Sequence, residues 1–127
     1  MKKIIHTDNA PKAVGPYSQA NALSNLVFTS GQIPLDPATM QVVEGDVKAQ
    51  ARQTLLNLKA VLEEAGAGFD SVLKTTCFLD DIKDFAAFNE VYAEFFGSEN
   101  TPARSCFEVG KLPMGVLVEV EAIAYVK

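Results

Sequence analysis

Tryptophan is absent from this chain, histidine occurs once, as His6, and cysteine twice, as Cys77 and Cys106. So few soft ligands, without metal-site spacing, exclude a zinc or iron–sulfur centre built from them. They also leave no convincing Cys–His pair for nucleophilic catalysis, because His6 is remote in sequence from both thiols. Two cysteines do not make a disulfide framework, and a reducing compartment suits them. No apolar run approaches the length that spans a bilayer. Lys2 and Lys3 make the amino terminus basic, but Thr7, Asp8, Asn9 and Pro11 follow, which is not the pattern of a signal peptide. Cytoplasm is the expected location. Basic side chains are also in the minority, 11 against 16 acidic, for a formal charge of −5. Such a surface repels nucleic-acid phosphates and anionic lipid, and no window interleaves basic with aromatic residues. Neither a nucleic acid nor a membrane is an expected partner, and no cofactor is called for.

What the chain does have is core material: 48% of its 127 residues are hydrophobic, eight of them Phe. That length suits one domain over 1–127. The first third reads as strands and turns. Lys3 to His6 is a short extended segment, broken by Pro11 and Gly15-Pro16. Tyr17 to Leu23 and Leu26 to Ser30 suggest a hairpin around Ser24-Asn25, ended by Gly31. Asp46 can cap a helix running to about Glu64 and closed by Gly66. Its apolar stripe is Val47, Ala51, Leu55, Leu58 and Leu62, with Lys48, Gln50, Arg52, Lys59 and Glu63 on the wetter side. Val72 to Leu79 is a strand. A second helix starts at Asp81 or Asp84, packs through Phe85, Phe88, Val91, Tyr92 and Phe95, and ends near Gly97. Ala103 to Val109 and Val116 to Val126 are the last strands.

Two helices with five or six strands predict an α+β fold in which both helices cover one face of a mixed sheet. The last strand bears on the other face. Val118, Val120, Ala122, Ala124 and Val126 point one way, and Leu117, Glu119, Glu121, Ile123 and Tyr125 the other. Both sets are too apolar for simple solvation, so the uncovered face is expected to find its lid in another subunit.

Arg104 and Cys106 alternate onto one face of a short strand after Thr101-Pro102, and Glu119 sits early in the next long strand. Paired as a hairpin, those strands would bring guanidinium and carboxylate to the same sheet end. An arginine there offers a planar fork to a substrate carboxylate, and a partly enclosed glutamate can handle protons or hold a water. The competing reading is structural: Arg104 and Glu119 pair with each other at a subunit seam. Cys106 is either a nucleophile or, more in keeping with the lone histidine, a small inert thiol, and Cys77 is packing. Tyr17 and Ser30 can donate into a cleft or be locally satisfied hydroxyls. Gly31 either exposes its backbone to a small ligand or makes a tight turn. Asn89 packs or caps within the second helix, and Glu121 serves an interface or the solvent edge.

The segments Gly15-Pro16-Tyr17-Ser18-Gln19-Ala20, Thr29-Ser30-Gly31-Gln32-Ile33-Pro34, Phe88-Asn89-Glu90-Val91-Tyr92, Pro102-Ala103-Arg104-Ser105-Cys106 and Val118-Glu119-Val120-Glu121-Ala122 resemble, in order, the successive motifs of the RidA family. The resemblance spans essentially the whole chain. It implies a chorismate-mutase-like fold assembled as a homotrimer with clefts between subunits. In the family's deaminase branch it makes Arg104 the binder of the substrate carboxylate and Glu119 the residue that activates or positions water. Tyr17, Ser30, Gly31, Asn89 and Cys106 match residues that line or shape the cleft. The implied substrates are 2-iminopropanoate, 2-iminobutanoate and their enamine tautomers, released as 2-oxo acids and ammonia without metal or cofactor. Other family members are associated with other imines, with binding oxo acids or regulatory metabolites and with RNA cleavage, so the resemblance also admits a non-enzymatic metabolite sensor.

Overall fold

The longest apolar stripe forms the longest helix. In the computed structural model, which describes residues 1–127, α1 runs Val47–Glu64. Asp46 caps it by accepting from the Ala49 backbone N–H at 3.1 Å, filling one of the orphan donors of the first turn. All five predicted stripe residues are buried. One residue assigned to the wet side is not there: Gln50 is buried, and its Oε1 accepts from the Leu117 N–H at 2.8 Å. A buried amide survives in the core because the loop it holds supplies the missing partner. Asn57, also buried, does the same for another loop. Its Nδ2 donates to the Ile33 and Leu35 carbonyls at 3.0 and 2.9 Å.

The second helix, α2, is Phe85–Phe96. Asp81 caps a single 3-10 turn, Ile82–Asp84, ahead of it, with Oδ1 accepting from Lys83 N–H at 2.9 Å, whereas the Asp84 side chain caps nothing. Phe88, Val91, Tyr92 and Phe96 are its buried residues. Phe85, expected in the core, lies at the edge instead because Arg104 occupies the space above its ring, 5.4 Å from the centroid. The ion pairs Lys48–Glu90 and Arg52–Glu94 join the exposed flanks of the two helices. Such pairs contribute little each, so burial of the apolar stripes holds the helices together.

Six strands make one sheet: β1 Lys3–Ile5, β2 Ala20–Leu23, β3 Leu26–Thr29, β4 Val72–Leu79, β5 Ala103–Glu108 and β6 Val118–Tyr125. Their spatial order is β1-β2-β3-β6-β4-β5, antiparallel throughout except for the parallel β4–β5 pair. The hairpin around Ser24-Asn25 forms, with Ser24 in the left-handed region at φ 55°, but its first strand starts only at Ala20. The pairing of the last two strands is a correction. β5 and β6 are not neighbours, because β4 lies between them. After α2 the chain returns parallel to β4 as an edge strand, as a β-α-β crossover requires.

Both helices lie on one face of the sheet, over Thr75, Cys77 and Leu79 of β4 and Val118, Val120, Ala122 and Ala124 of β6, all buried. The opposite face carries Phe28 (45% exposed), Tyr125 and Phe107, with Phe78 edge-on to Phe107 at 5.4 Å between centroids. No element of the chain covers these aromatics. No helix is long and apolar enough to cross a membrane.

Candidate functional site

Gly31 and Glu119 owe their proximity to an irregularity in the sheet. Phe28 pairs with Ile123, and Gln32 bridges Val120 through N–H···O bonds of 2.8 and 3.1 Å. Four residue steps on the β3 side therefore face three on β6, which is a bulge containing Ser30 and Gly31. The bulge turns the Gly31 backbone against the Glu119 side chain. A methyl group at Gly31 would overlap Glu119 Oε2 and lie 2.7 Å from its carboxyl carbon. Close approach, not turn geometry, accounts for this glycine, whose φ is outside the left-handed region.

Around that carboxylate lies a cleft of about 410 Å³ lined by Val14, Tyr17, Ser30, Gly31, Ile33, Pro113 and Glu119. Four expected site residues thus share one hollow on the helix-free face. Ser30 Oγ donates to the Ser18 carbonyl at 2.6 Å, so its hydroxyl ties the bulge to the preceding loop. Burial pushes the Glu119 carboxyl above the usual range, and the negative charge of Glu121 pushes it further the same way. Glu121 thereby acquires an electrostatic part beyond marking the edge of the face.

Arg104 is elsewhere. It projects from β5 toward α2, donating from Nη1 to Asn89 Oδ1 at 2.7 Å, with its guanidinium carbon 4.8 Å from the Tyr92 ring centroid. Phe85, Asn89 and Tyr92 fall on one helical face at spacings of four and three, which presents them together to the arginine. No acidic side chain of the chain pairs with Arg104. A second hollow of about 380 Å³, lined by Asn89, Tyr92, Gly97, Thr101, Pro102 and Arg104 among others, opens beside it. Cys106 shares this face and stands opposite Cys77 in the parallel register. The neighbouring Cys77 thiol lowers the Cys106 pKa to about 7; burial opposes the shift and the Arg104 charge adds to it. Cys77 is fully buried and its own pKa moves up, so any thiolate of the pair resides on Cys106.

The expected site therefore divides. Arg104 pairs in register with Thr75, and Glu119 with Phe78, on opposite sides of β4. Two strand spacings and three residues of offset put their α-carbons about 14 Å apart, and their side chains emerge on opposite faces. Within one chain they form neither a cleft nor an ion pair. The helix-face stack of Phe85 and Tyr92 on Arg104, and the apolar walls Val14, Ile33 and Pro113, were not among the expected site residues. The first was legible as helical spacing; the walls come from loops without periodicity.

Such an arrangement defines a small α+β protein with a carboxylate hollow on one face of its sheet and an unpaired guanidinium on the other. A family model described as Endoribonuclease L-PSP matches residues 7–126. The chain belongs to that family, the RidA family, and the resemblance read from its motifs holds. Among its relatives, a RutC family protein from Pyrococcus horikoshii is 56% identical over 125 residues, covering 98% of each chain. A protein from Salmonella typhimurium named 2-iminobutanoate/2-iminopropanoate deaminase is 53% identical over 126 residues, again 98% of each. The crystal structure of Escherichia coli TdcF with bound serine superposes with a TM-score of 0.92 at 46% identity, covering 98% of this chain and 99% of that one. The α+β fold with two helices on one face of a mixed sheet is the family's own.

Proposed function

We propose that the protein hydrolyses 2-iminopropanoate, 2-iminobutanoate and their enamine tautomers to 2-oxo acids and ammonia. The observation that carries this reading is the unpaired Arg104. It is stacked on Tyr92 and spends one N–H on Asn89, which leaves donors of its fork free for a substrate carboxylate. Relatives that carry the deaminase name, at 53% and 52% identity, support the same chemistry. Glu119 takes the role of holding the attacking water. Water adds to the electrophilic C2 of the iminium, a proton passes to nitrogen, and the carbinolamine loses ammonia as its hydroxyl becomes the oxo group. Neither a metal nor a covalent nucleophile enters that balance.

Opposite faces make a one-chain site impractical, so the reading includes assembly. The Arg104 edge of one copy closes over the Glu119 hollow of the next in a homotrimer, and the uncovered aromatics Phe28, Phe107 and Tyr125 form the seam. The family's descriptive name suggests RNA as substrate, but a net charge of −5 and a carboxylate at the hollow favour a small anion with a cationic centre over a phosphate backbone.

The test generates 2-iminobutanoate with an amino-acid oxidase and follows its loss with wild type, Arg104→Ala and Glu119→Ala, and with the two variants mixed after co-refolding. Wild-type turnover, loss in each variant and partial recovery in the mixture are expected. No wild-type rate above buffer would sink the enzyme reading. In that case submicromolar binding of a stable 2-oxo acid by the same Arg104 would leave a metabolite sensor in its place.

A further inference from the structure

The Glu119 hollow has an extension that the short substrates do not need. A groove of about 400 Å³ shares Val14, Tyr17, Gly31, Ile33 and Pro113 with it, and continues to Leu35, Met40 and Met114. Its walls are largely apolar, whereas a methyl or ethyl side chain on an imino acid would occupy only the shared part.

Two of those wall residues stand in a conformation their side chains do not favour. Of the four non-glycine residues with left-handed backbone, Met40 (φ 61°) and Met114 (φ 57°) both line this groove. Glycine or asparagine fits such positions more easily. Neither methionine fills the core, and Met114 is 65% exposed. The sequence thus keeps flexible thioethers at strained turns beside the hollow, a pattern that fits adaptable apolar binding better than packing. Asn57 anchors the intervening loop through Ile33 and Leu35, so the groove wall is held even where the turns are strained.

We infer that Met40 and Met114 determine specificity by forming a side-chain subsite for 2-imino acids with long unbranched apolar groups, a thioether included. The inference rests on the imine-deaminase reading and narrows its substrate class. The carboxylate lies toward the partner's arginine edge, C2 faces the Glu119 water, and the side chain runs along the groove over Ile33 to the two methionines.

Imines made by an amino-acid oxidase from alanine and from methionine separate the possibilities, with wild type and the double variant Met40→Asn/Met114→Asn. Asparagine tolerates the left-handed backbone, so melting temperature should not fall. Wild-type kcat/KM should be at least about tenfold higher for the methionine-derived imine, since each buried methylene is worth roughly tenfold or more in such a pocket. The double variant should lose most of that advantage and stay within about twofold on the alanine-derived imine, whose methyl group does not reach the groove. Equal losses on both imines, or no loss on either, would overturn the subsite while leaving the deaminase reading intact. Absence of turnover with either imine would remove both.

Discussion

Replacing Gly31 by alanine isolates the placement of the Glu119 carboxylate from everything else in the site. The added methyl would lie 2.7 Å from the carboxyl carbon and 3.0 Å from Cγ. Carbon–carbon contacts are relaxed at roughly 3.5–4.0 Å, so the carboxyl carbon must retreat by about 1 Å. Retreat is open to it, because Glu119 is only half-buried and faces the uncovered side of the sheet. The stability cost should therefore sit at the low end for overpacking, about 1 kcal/mol, or a melting temperature lower by about 3–6 °C for a chain of this size. Activity should suffer far more. A reacting group displaced by about 1 Å loses on the order of 100-fold in rate.

The assay compares wild type and Gly31→Ala on oxidase-generated 2-iminobutanoate, with melting temperature and oligomer size on the same samples. Binding of 2-oxobutanoate, which reports on the Arg104 of the neighbouring copy, should fall less than the rate, because that arginine and its acceptor Asn89 are untouched by the substitution. A folded Gly31→Ala protein with an unaltered rate would refute the reasoning, since the water would then not depend on where Glu119 stands.

Four other perturbations follow from the geometry. Asn89→Ala removes the single acceptor that orients Arg104 while its ring stack remains, so KM should rise about 3–10-fold with kcat little changed. A carboxyl whose folded pKa lies above its unfolded value stabilises most when protonated, below the unfolded value, and that contribution is lost as pH rises through the folded pKa. Ionised Glu119 therefore costs stability at neutral pH, and Glu119→Gln should melt a few degrees higher there but no higher in acid. Glu121→Gln takes away the negative charge that raises the Glu119 pKa, so the acid limb of the pH–rate profile should move to lower pH. Cys106 should react with iodoacetamide with a pH midpoint of about 7, and Cys77→Ala should move that midpoint upward by removing the neighbouring thiol that lowers it.

Local signals carried most of the fold. Asp46 ahead of a stripe at three- and four-residue spacing marked α1, and alternation marked β6 and its two apolar faces. Chain order misled at β5. Sequence neighbours usually pair, but the crossover through α2 places β5 beside β4, and nothing in residues 103–109 records that choice. The site split for the same reason. Its residues were legible as motifs, yet their division between two faces depends on which strand lies between Arg104 and Glu119. Gln50 looked like a solvent-facing helix position because its partner, the Leu117 N–H, comes from a loop distant in sequence. Gly31 read as a tight turn or a backbone open to a small ligand, and its contact with Glu119 appears only once the bulge sets the two together.

On the proposed reading, the uncovered face and the divided site have one common resolution. A sheet with helices on one side only leaves Phe28, Phe107 and Tyr125 in water, an arrangement that favours association through burial of apolar area. The same face holds the Glu119 hollow, and the edge strand β5 holds Arg104 pointing to the other side. If the seam that buries the aromatics also carries a neighbour's β5 edge to the hollow, assembly supplies the missing guanidinium. The isolated chain then holds a half-buried carboxylate and an unpaired arginine that cannot neutralise each other. Within one chain that separation keeps the two charges from closing on each other.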